Sequence, residues 1–155
     1  LVLQQLADRP DGVETCADWA LATWGASWGH SRERTLAWLE NLLATDGEVM
    51  FVASLDNQIV GMAGVERHDL ASRPDLSPWL ANVFIDPDFR RRGIASALVT
   101  QVERWVWSRG HRRLYLFTPD QMALYQQLDW QLTSETAHHN GAQVRIMHKD
   151  APAEN

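Results

Sequence analysis

Apolar positions along the chain change period several times, and each change marks an element. Leu1 to Leu6 is a short apolar run that reads as an edge strand, closed by the turn-forming Asp8-Arg9-Pro10-Asp11-Gly12. Glu14 to Trp24 then reads as a helix, with Cys16, Trp19, Ala20 and Thr23 near helical spacing and Gly25 as its stop. Ser31 is an N-cap for a second helix through Ala44, in which Thr35, Trp38, Leu39, Leu42 and Leu43 share one face.

The period then shortens. Val49 to Leu55 and Gln58 to Val65 are β-rich runs around Asp56-Asn57, a two-residue hairpin turn, with Gly61 and Gly64 leaving gaps in the second. Glu66 to Pro78 is polar, holds two prolines and reads as a loop; Trp79 to Ile85 is the next strand, ended by Asp86-Pro87-Asp88. Ile94 to Arg109 is the clearest helix, with Ile94, Ala95, Leu98, Val102, Trp105 and Val106 on one stripe and Gly110 as its stop. Leu114 to Thr118 is a short strand and Met122 to Leu128 a short helix. Trp130 to Thr136 and Gln143 to His148 form a final hairpin around Asn140-Gly141, with His138-His139 read as loop. The order β, α, α, β, β, β, α, β, α, β, β makes an α/β (α+β) chain whose middle β-α-β unit is parallel and right-handed. It divides into one domain over residues 1–149 and a polar tail, 150–155, expected to fray.

Composition narrows the functional classes. With 155 residues the chain can bury roughly 68–70% of its unfolded surface without help from disulfides or metal. The single Cys16 leaves no disulfide framework and no multi-cysteine zinc site, the usage of a reducing compartment, so a cytoplasmic location is expected. No run approaches the roughly 18 apolar residues of a membrane span, so no membrane partner is expected. A net charge of −6 argues against a nucleic-acid partner, because phosphate neutralisation needs a basic face. Eight tryptophans are unusual; Trp19, Trp24, Trp28 and Trp38 lie close together and read either as helix packing or as the wall of an aromatic cleft.

The chemistry concentrates in Val83-Phe84-Ile85-Asp86-Pro87-Asp88-Phe89-Arg90-Arg91-Arg92-Gly93-Ile94-Ala95. Here a strand enters a tight turn that opens a helix, so unpaired N–H groups of the first turn converge on one spot. The helix dipole, the missing Cβ of Gly93 and three arginines all favour an anion there. Neither G-K-[ST] nor G-x-G-x-x-G is present, which disfavours nucleoside triphosphates and dinucleotides.

Arg90-Arg91-Arg92-Gly93-Ile94-Ala95 resembles the R/Q-x-x-G-x-G/A pyrophosphate motif of the GNAT superfamily of acetyl-CoA-dependent N-acetyltransferases. Leu116-Phe117-Thr118 followed by Ala123-Leu124-Tyr125-Gln126-Gln127-Leu128-Asp129-Trp130 resembles the family's strand and tyrosine-bearing helix end, with Asp129 where the family has Gly. The resemblance implies a mixed, mostly antiparallel sheet of about seven strands, splayed in the middle, with about four helices. It implies acetyl-CoA as cosubstrate and no metal. Arg90, Arg91, Arg92, Gly93, Ile94, Ala95 and Ser96 would hold the pyrophosphate, and Val83, Phe84 and Ile85 would pair with the pantetheine arm, joined by Thr118 on the next strand. Tyr125 would protonate or hydrogen-bond the departing thiolate. Cys16 falls on a core face, so direct attack by the amine in a ternary complex is favoured over a ping-pong route.

Glu66, His68 and Asp69 end the strand beside the expected cleft, and Glu66 is the first choice of general base because a strand holds it. Asn82 is a further polar residue on the central strand. Trp24, Trp28 and Trp79, with His68 and Asp69, would line the acceptor site. The acceptor is left open between a small cationic amine, such as a polyamine or aminoglycoside, and a peptide N-terminus that Arg32, Arg67 and Arg73 could greet. A non-catalytic acyl-CoA-binding or partner-binding module is the alternative of a different class. A homodimer through the terminal hairpin or an edge strand is also expected, since an open sheet leaves unpaired edges.

Overall fold

The apolar runs pair into a seven-stranded open sheet of order β1-β2-β3-β4-β5-β7-β6 in the computed structural model, which describes residues 1–25 and 29–153. The strands are β1 (Val2–Gln5), β2 (Val49–Leu55), β3 (Gln58–Glu66), β4 (Trp79–Ile85), β5 (Arg113–Thr118), β6 (Gln131–His139) and β7 (Ala142–Asp150). The helices are α1 (Val13–Ala20), α2 (Arg32–Ala44), α3 (Ile94–Ser108) and α4 (Met122–Gln127). Every pairing is antiparallel except β4 with β5.

Burial on both faces explains why β2 is apolar at every position but Ser54 rather than alternating. Val49, Phe51 and Ala53 face α3 in one core with Val60, Ala63, Leu98, Val102 and Val106. Met50 and Val52 face α1 and α2 in a second core with Cys16, Ala17, Leu39 and Leu42. Cys16 is buried there, and burial pushes its thiol up to about 12, so it remains a neutral packing group. Positive φ at both Asp56 and Asn57 gives the β2–β3 hairpin the backbone that matches strand twist, and Asn140 and Gly141 do the same for β6–β7. Ser31 Oγ accepts from the Arg34 N–H at 3.2 Å and caps α2 as expected.

Several local expectations are corrected. The first helix is α-helical only to Ala20 and continues as a π-helical turn, Leu21–Gly25, which aims Thr23 and Trp24 at the cleft. Gly61 and Gly64 leave no gaps: a Cβ on Gly61 would stand 2.8 Å from Ile85 Cδ1, and one on Gly64 would stand 2.9 Å from the Val49 carbonyl oxygen. β6 runs through His138 and His139, which are strand rather than loop. β7 runs through Asp150, which accepts two hydrogen bonds from Arg113, while the Ala151 N–H donates to Arg112 O at 2.9 Å. Among the described residues no helix is long and apolar enough to cross a membrane.

One pairing is incomplete. β4 and β5 meet only at Trp79 opposite Tyr115, with the Tyr115 N–H donating to Pro78 O at 3.0 Å, and then part. Leu80 to Val83 and Leu116 to Thr118 become opposite walls of a cleft instead of ladder partners.

Gly64→Ala should test how tightly β3 is clamped. The added methyl meets backbone rather than a flexible side-chain tip, so unfolding free energy should fall by about 1–3 kcal/mol in urea titrations. A loss under about 0.5 kcal/mol would mean that β2 yields at Val49.

Candidate active site

β4 carries one residue more than β3 between the pairs Met62–Phe84 and Gly64–Ala81, and Asn82 takes up the excess with φ of 61°. The resulting bulge takes Asn82 and Val83 out of regular pairing beside the cleft. It also brings the Asn82 amide to Glu66 at the end of β3, where Nδ2 donates to Oε2 at 3.0 Å. The Trp38 indole of α2 donates to the same carboxylate, and Asp69 hydrogen-bonds it from the following loop. Glu48 stands behind, accepting from the Arg67 N–H at 2.9 Å.

Two carboxyl groups in hydrogen-bonding contact cannot both ionise cheaply. Burial, then the charge of Glu66, holds Asp69 protonated well above the usual carboxylate range. Burial also raises Glu66, against the pull of the Asn82 bond. The result is a half-buried pair sharing a proton, oriented by an amide and an indole. It lies in a cleft of about 830 Å³ that is also lined by Trp24, His30, His68, Asp120 and His139.

The other side of the splay holds a groove of about 590 Å³ along Val83, Phe84 and Ile85 and the turn before α3. Gly93 is the N-cap with φ of 78°, and the first intrahelical bond is donated by Ala97 to Gly93 O at 3.1 Å. The N–H groups of Ile94, Ala95 and Ser96 therefore have no intrahelical acceptor and face the groove. A Cβ on Gly93 would meet nothing within 4 Å, so the approach to these amides is open. Arg91 adopts φ of 65°, and Arg90 folds back over Phe84 to donate from Nε to Ile85 O at 3.1 Å. Such a turn fits a pyrophosphate: three amides, a helix N-terminus and arginines around an open floor.

Thr23, Val83, Gln121 and Tyr125 line both the cleft and the groove. Tyr125, on the short α4, is 8% exposed, and burial pushes its phenol up to about 12. Asp129 follows with φ of 69°, the left-handed stop that the family's glycine would provide.

The sequence-predicted residues divide between these places. Glu66, His68, Asp69 and Trp24 line the cleft with Tyr125, while Arg90, Arg91 and Gly93 to Ser96 line the groove. Arg92 instead stacks its guanidinium 5.2 Å above the Phe89 ring. Thr118 borders the cleft rather than the groove, its Oγ1 accepting from the Gln121 N–H at 3.0 Å at the entry to α4. Trp79 is not a cleft wall: it is fully buried with Leu70 and Ile146, its indole N–H donating to Leu76 O at 2.8 Å. Trp28 lies outside the described residues.

His30, Asp120 and His139 line the wall without having been expected there. His139 packs on Phe117 with ring centroids 4.8 Å apart, and burial lowers it below its ordinary value, so it is mainly neutral at pH 7. Its place beside the Asn140-Gly141 turn carried that signal, had the strand been extended to the turn. Trp38 read either as helix packing or as the wall of an aromatic cleft; it lines the cleft, and neither reading could show its N–H aimed at Glu66.

A model of the acetyltransferase (GNAT) family matches residues 13–130. The aminoglycoside N(6′)-acetyltransferase type 1 of Salmonella typhimurium is 33% identical over 103 residues, covering 64% of this chain and 71% of that protein. Crystal structures of an aminoglycoside 6′-acetyltransferase type Ii (TM-score 0.79, 20% identity, 99% of this chain and 100% of that one) and of an aminoglycoside 6′-N-acetyltransferase complexed with coenzyme A (TM-score 0.78, 16% identity, 100% of both chains) share the fold. The splayed sheet with its anion-ready turn is thus that of an acyltransferase. The chain belongs to the GNAT family and is an acetyl-CoA-dependent N-acetyltransferase.

The shared proton makes stability depend on pH. Asp69 is raised on folding, so the native state holds more protons than the unfolded chain between the ordinary carboxylate range and the raised value, and stability falls as pH rises through that window. Asp69→Asn keeps a donor for Glu66 without the charge. Urea titrations should find it more stable than the parent at about pH 8 by more than roughly 0.5 kcal/mol, the difference shrinking near about pH 4. Equal stability at both pH values would remove the shared-proton account.

Proposed function

We propose that the protein acetylates a primary amine of a small polycationic acceptor of the aminoglycoside kind, by direct attack within a ternary complex. The observation that carries this reading is the meeting of groove and cleft at Thr23, Val83, Gln121 and Tyr125, with the Glu66–Asp69 pair on the cleft side. One compartment has the amides for a pyrophosphate, the other has the carboxyls for an ammonium, and a single phenol borders both.

Bound acetyl-CoA would supply an activated acyl thioester. The N–H groups of Ile94, Ala95 and Ser96 would bind its pyrophosphate, and Val83 to Ile85 would pair with the pantetheine arm as an added strand. An N–H at Val83 or Phe84, beside the β4 bulge, would donate to the thioester carbonyl as charge develops there. Glu66 would take the ammonium proton, a task for which its raised value suits it, while Asn82 and Trp38 hold its oxygens in place.

Magnitudes decide what Tyr125 does. A phenol near about 12 facing a thiol of about 8.5 would give up its proton at a cost of roughly 5 kcal/mol. Tyr125 therefore acts as a hydrogen-bond donor to the developing thiolate, which takes its proton from water afterwards. The acceptor reading gains from the arginines as well. Of the three arginines that could greet an acidic peptide, two are engaged, Arg73 with Asp75 and Glu135 and Arg32 with Asp18. The Salmonella relative, an aminoglycoside N(6′)-acetyltransferase, points the same way.

Acetyl-CoA turnover against aminoglycosides, polyamines and N-terminal peptides tests the acceptor: aminoglycosides should be acetylated, and turnover confined to peptides would overturn the reading. Tyr125→Phe keeps the ring and deletes the donor. Its kcat should fall roughly 10- to 1,000-fold with acetyl-CoA affinity unchanged, because the lost bond forms fully only as charge reaches sulfur. Full kcat where chemistry limits turnover would refute the role. For the groove, Gly93→Asp should abolish acetyl-CoA binding in calorimetry by placing a side chain and a like charge among the amides, and retained affinity would relocate the site.

A further inference from the structure

The least expected charge in the fold lies outside both compartments. Glu103 stands in the middle of α3 on its apolar face, 6% exposed, in a helix whose Val99, Val102 and Val106 are core. A buried carboxylate is costly unless it is paired and hydrogen-bonded, and Glu103 is both. Its Oε1 accepts from Lys149 Nζ of β7 at 2.9 Å, and its Oε2 accepts from the Trp130 indole N–H at 3.1 Å. Lys149 Nζ donates a second bond, at 2.8 Å, to the Leu128 carbonyl just past the end of α4.

These bonds converge on the residue that borders groove and cleft. The N–H groups of Leu128 and Trp130 both donate to the Tyr125 carbonyl, each at 3.0 Å. The Trp130 ring stands edge-on to the Tyr125 ring, centroids 6.1 Å apart and planes at 64°. α4 has only six residues, too few to hold its own shape, so its placement comes from what grips it. Glu103 and Lys149 grip its C-terminal end from α3 and β7, and Glu103 also sets the rotation of the ring that wedges Tyr125.

A buried ion pair is a poor source of stability, because apolar residues of similar shape do as well or better. Its distinctive property is that it fixes one geometry. We propose that Glu103, paired with Lys149, is a positioning residue for Tyr125, acting through the Trp130 indole and the Leu128 carbonyl. The proposal rests on the reading of Tyr125 as the donor to the departing sulfur, where a displacement of about 1 Å can cost up to 100-fold in rate.

The test combines variants with Tyr125→Phe. Trp130→Phe keeps an aromatic ring against Tyr125 and removes the indole N–H together with part of the fused ring. Glu103→Gln with Lys149→Met removes both buried charges together, so neither is left alone. Each should lower kcat about 5- to 50-fold while KM for acetyl-CoA and for the amine stays within about twofold, with wild-type circular dichroism and a cooperative melt. In the Tyr125→Phe background each should cost less than about twofold more, since its effect has already been removed. A purely structural role would lower kcat by the same factor in both backgrounds, and that result overturns the proposal. Wild-type kcat in both variants also overturns it. If Tyr125→Phe alone keeps full kcat, the donor reading fails and the positioning role goes with it; if Tyr125→Phe is slow but the losses multiply, positioning alone fails. Should the double-charge variant not fold, Trp130→Phe decides the matter by the same criteria.

Discussion

The structure depends on a sheet that must remain one body while two of its neighbouring central strands refuse to pair. β4 and β5 meet at Trp79 and Tyr115 and then part, which takes hydrogen-bonding partners away from backbone groups in the middle of the molecule. Such groups are tolerable only where a ligand, water or another part of the chain can reach them. Both compartments of the site are consequences of that opening. The cleft is the space between the diverging strands, and the groove is the exposed flank of β4 that leads to the α3 turn.

Holding the opening requires anchors on either side. On the β4 side, α3 packs closely across β3, made possible by Gly61, where a Cβ would collide with Ile85 and crowd Leu98. On the β5 side the short α4 hangs from β7 and α3 through Lys149 and Glu103. Apart from the hairpin residues Asp56, Asn57 and Asn140, the described non-glycine residues in the left-handed region fall at the same places: Asn82 in the bulge, Arg91 in the turn before α3 and Asp129 at the end of α4. Each costs of order 1–3 kcal/mol in local strain, which persists only where surrounding contacts over-determine the backbone.

Charge is divided as the chemistry needs it. A chain with net charge −6 gathers Arg90, Arg91 and Arg92 at the turn before α3 and keeps Glu66, Asp69 and Glu48 together on the opposite side of the splay. Under the proposed function this division would draw an anionic cosubstrate and a cationic acceptor to different mouths. The two compartments meet at Thr23, Val83, Gln121 and Tyr125, and burial pushes the Tyr125 phenol up to about 12.

By itself the sequence determined what is local. The hairpin turns at Asp56-Asn57 and Asn140-Gly141, the Ser31 cap and the strand–turn–helix around Gly93 depend on neighbours within a few residues, and all are present. The tyrosine-bearing helix end and its separation from that turn were legible through the resemblance to the GNAT family rather than through local pattern. Only the tertiary structure decided which distant side chains meet. Periodicity tells that Trp79 and Trp38 have a buried side but not what covers it, so one proved to be core and the other a donor to Glu66. The Asn82 bulge arises from the count of residues on β3 against β4, a property of two strands and not of either. His139 gains its place from packing on Phe117, and Glu103 gains partners 27 and 46 residues away. Contacts at such separations form only because burying the apolar faces of the helices brings the strands into register. The residues that carry chemistry are positioned by the same burial that closes the core.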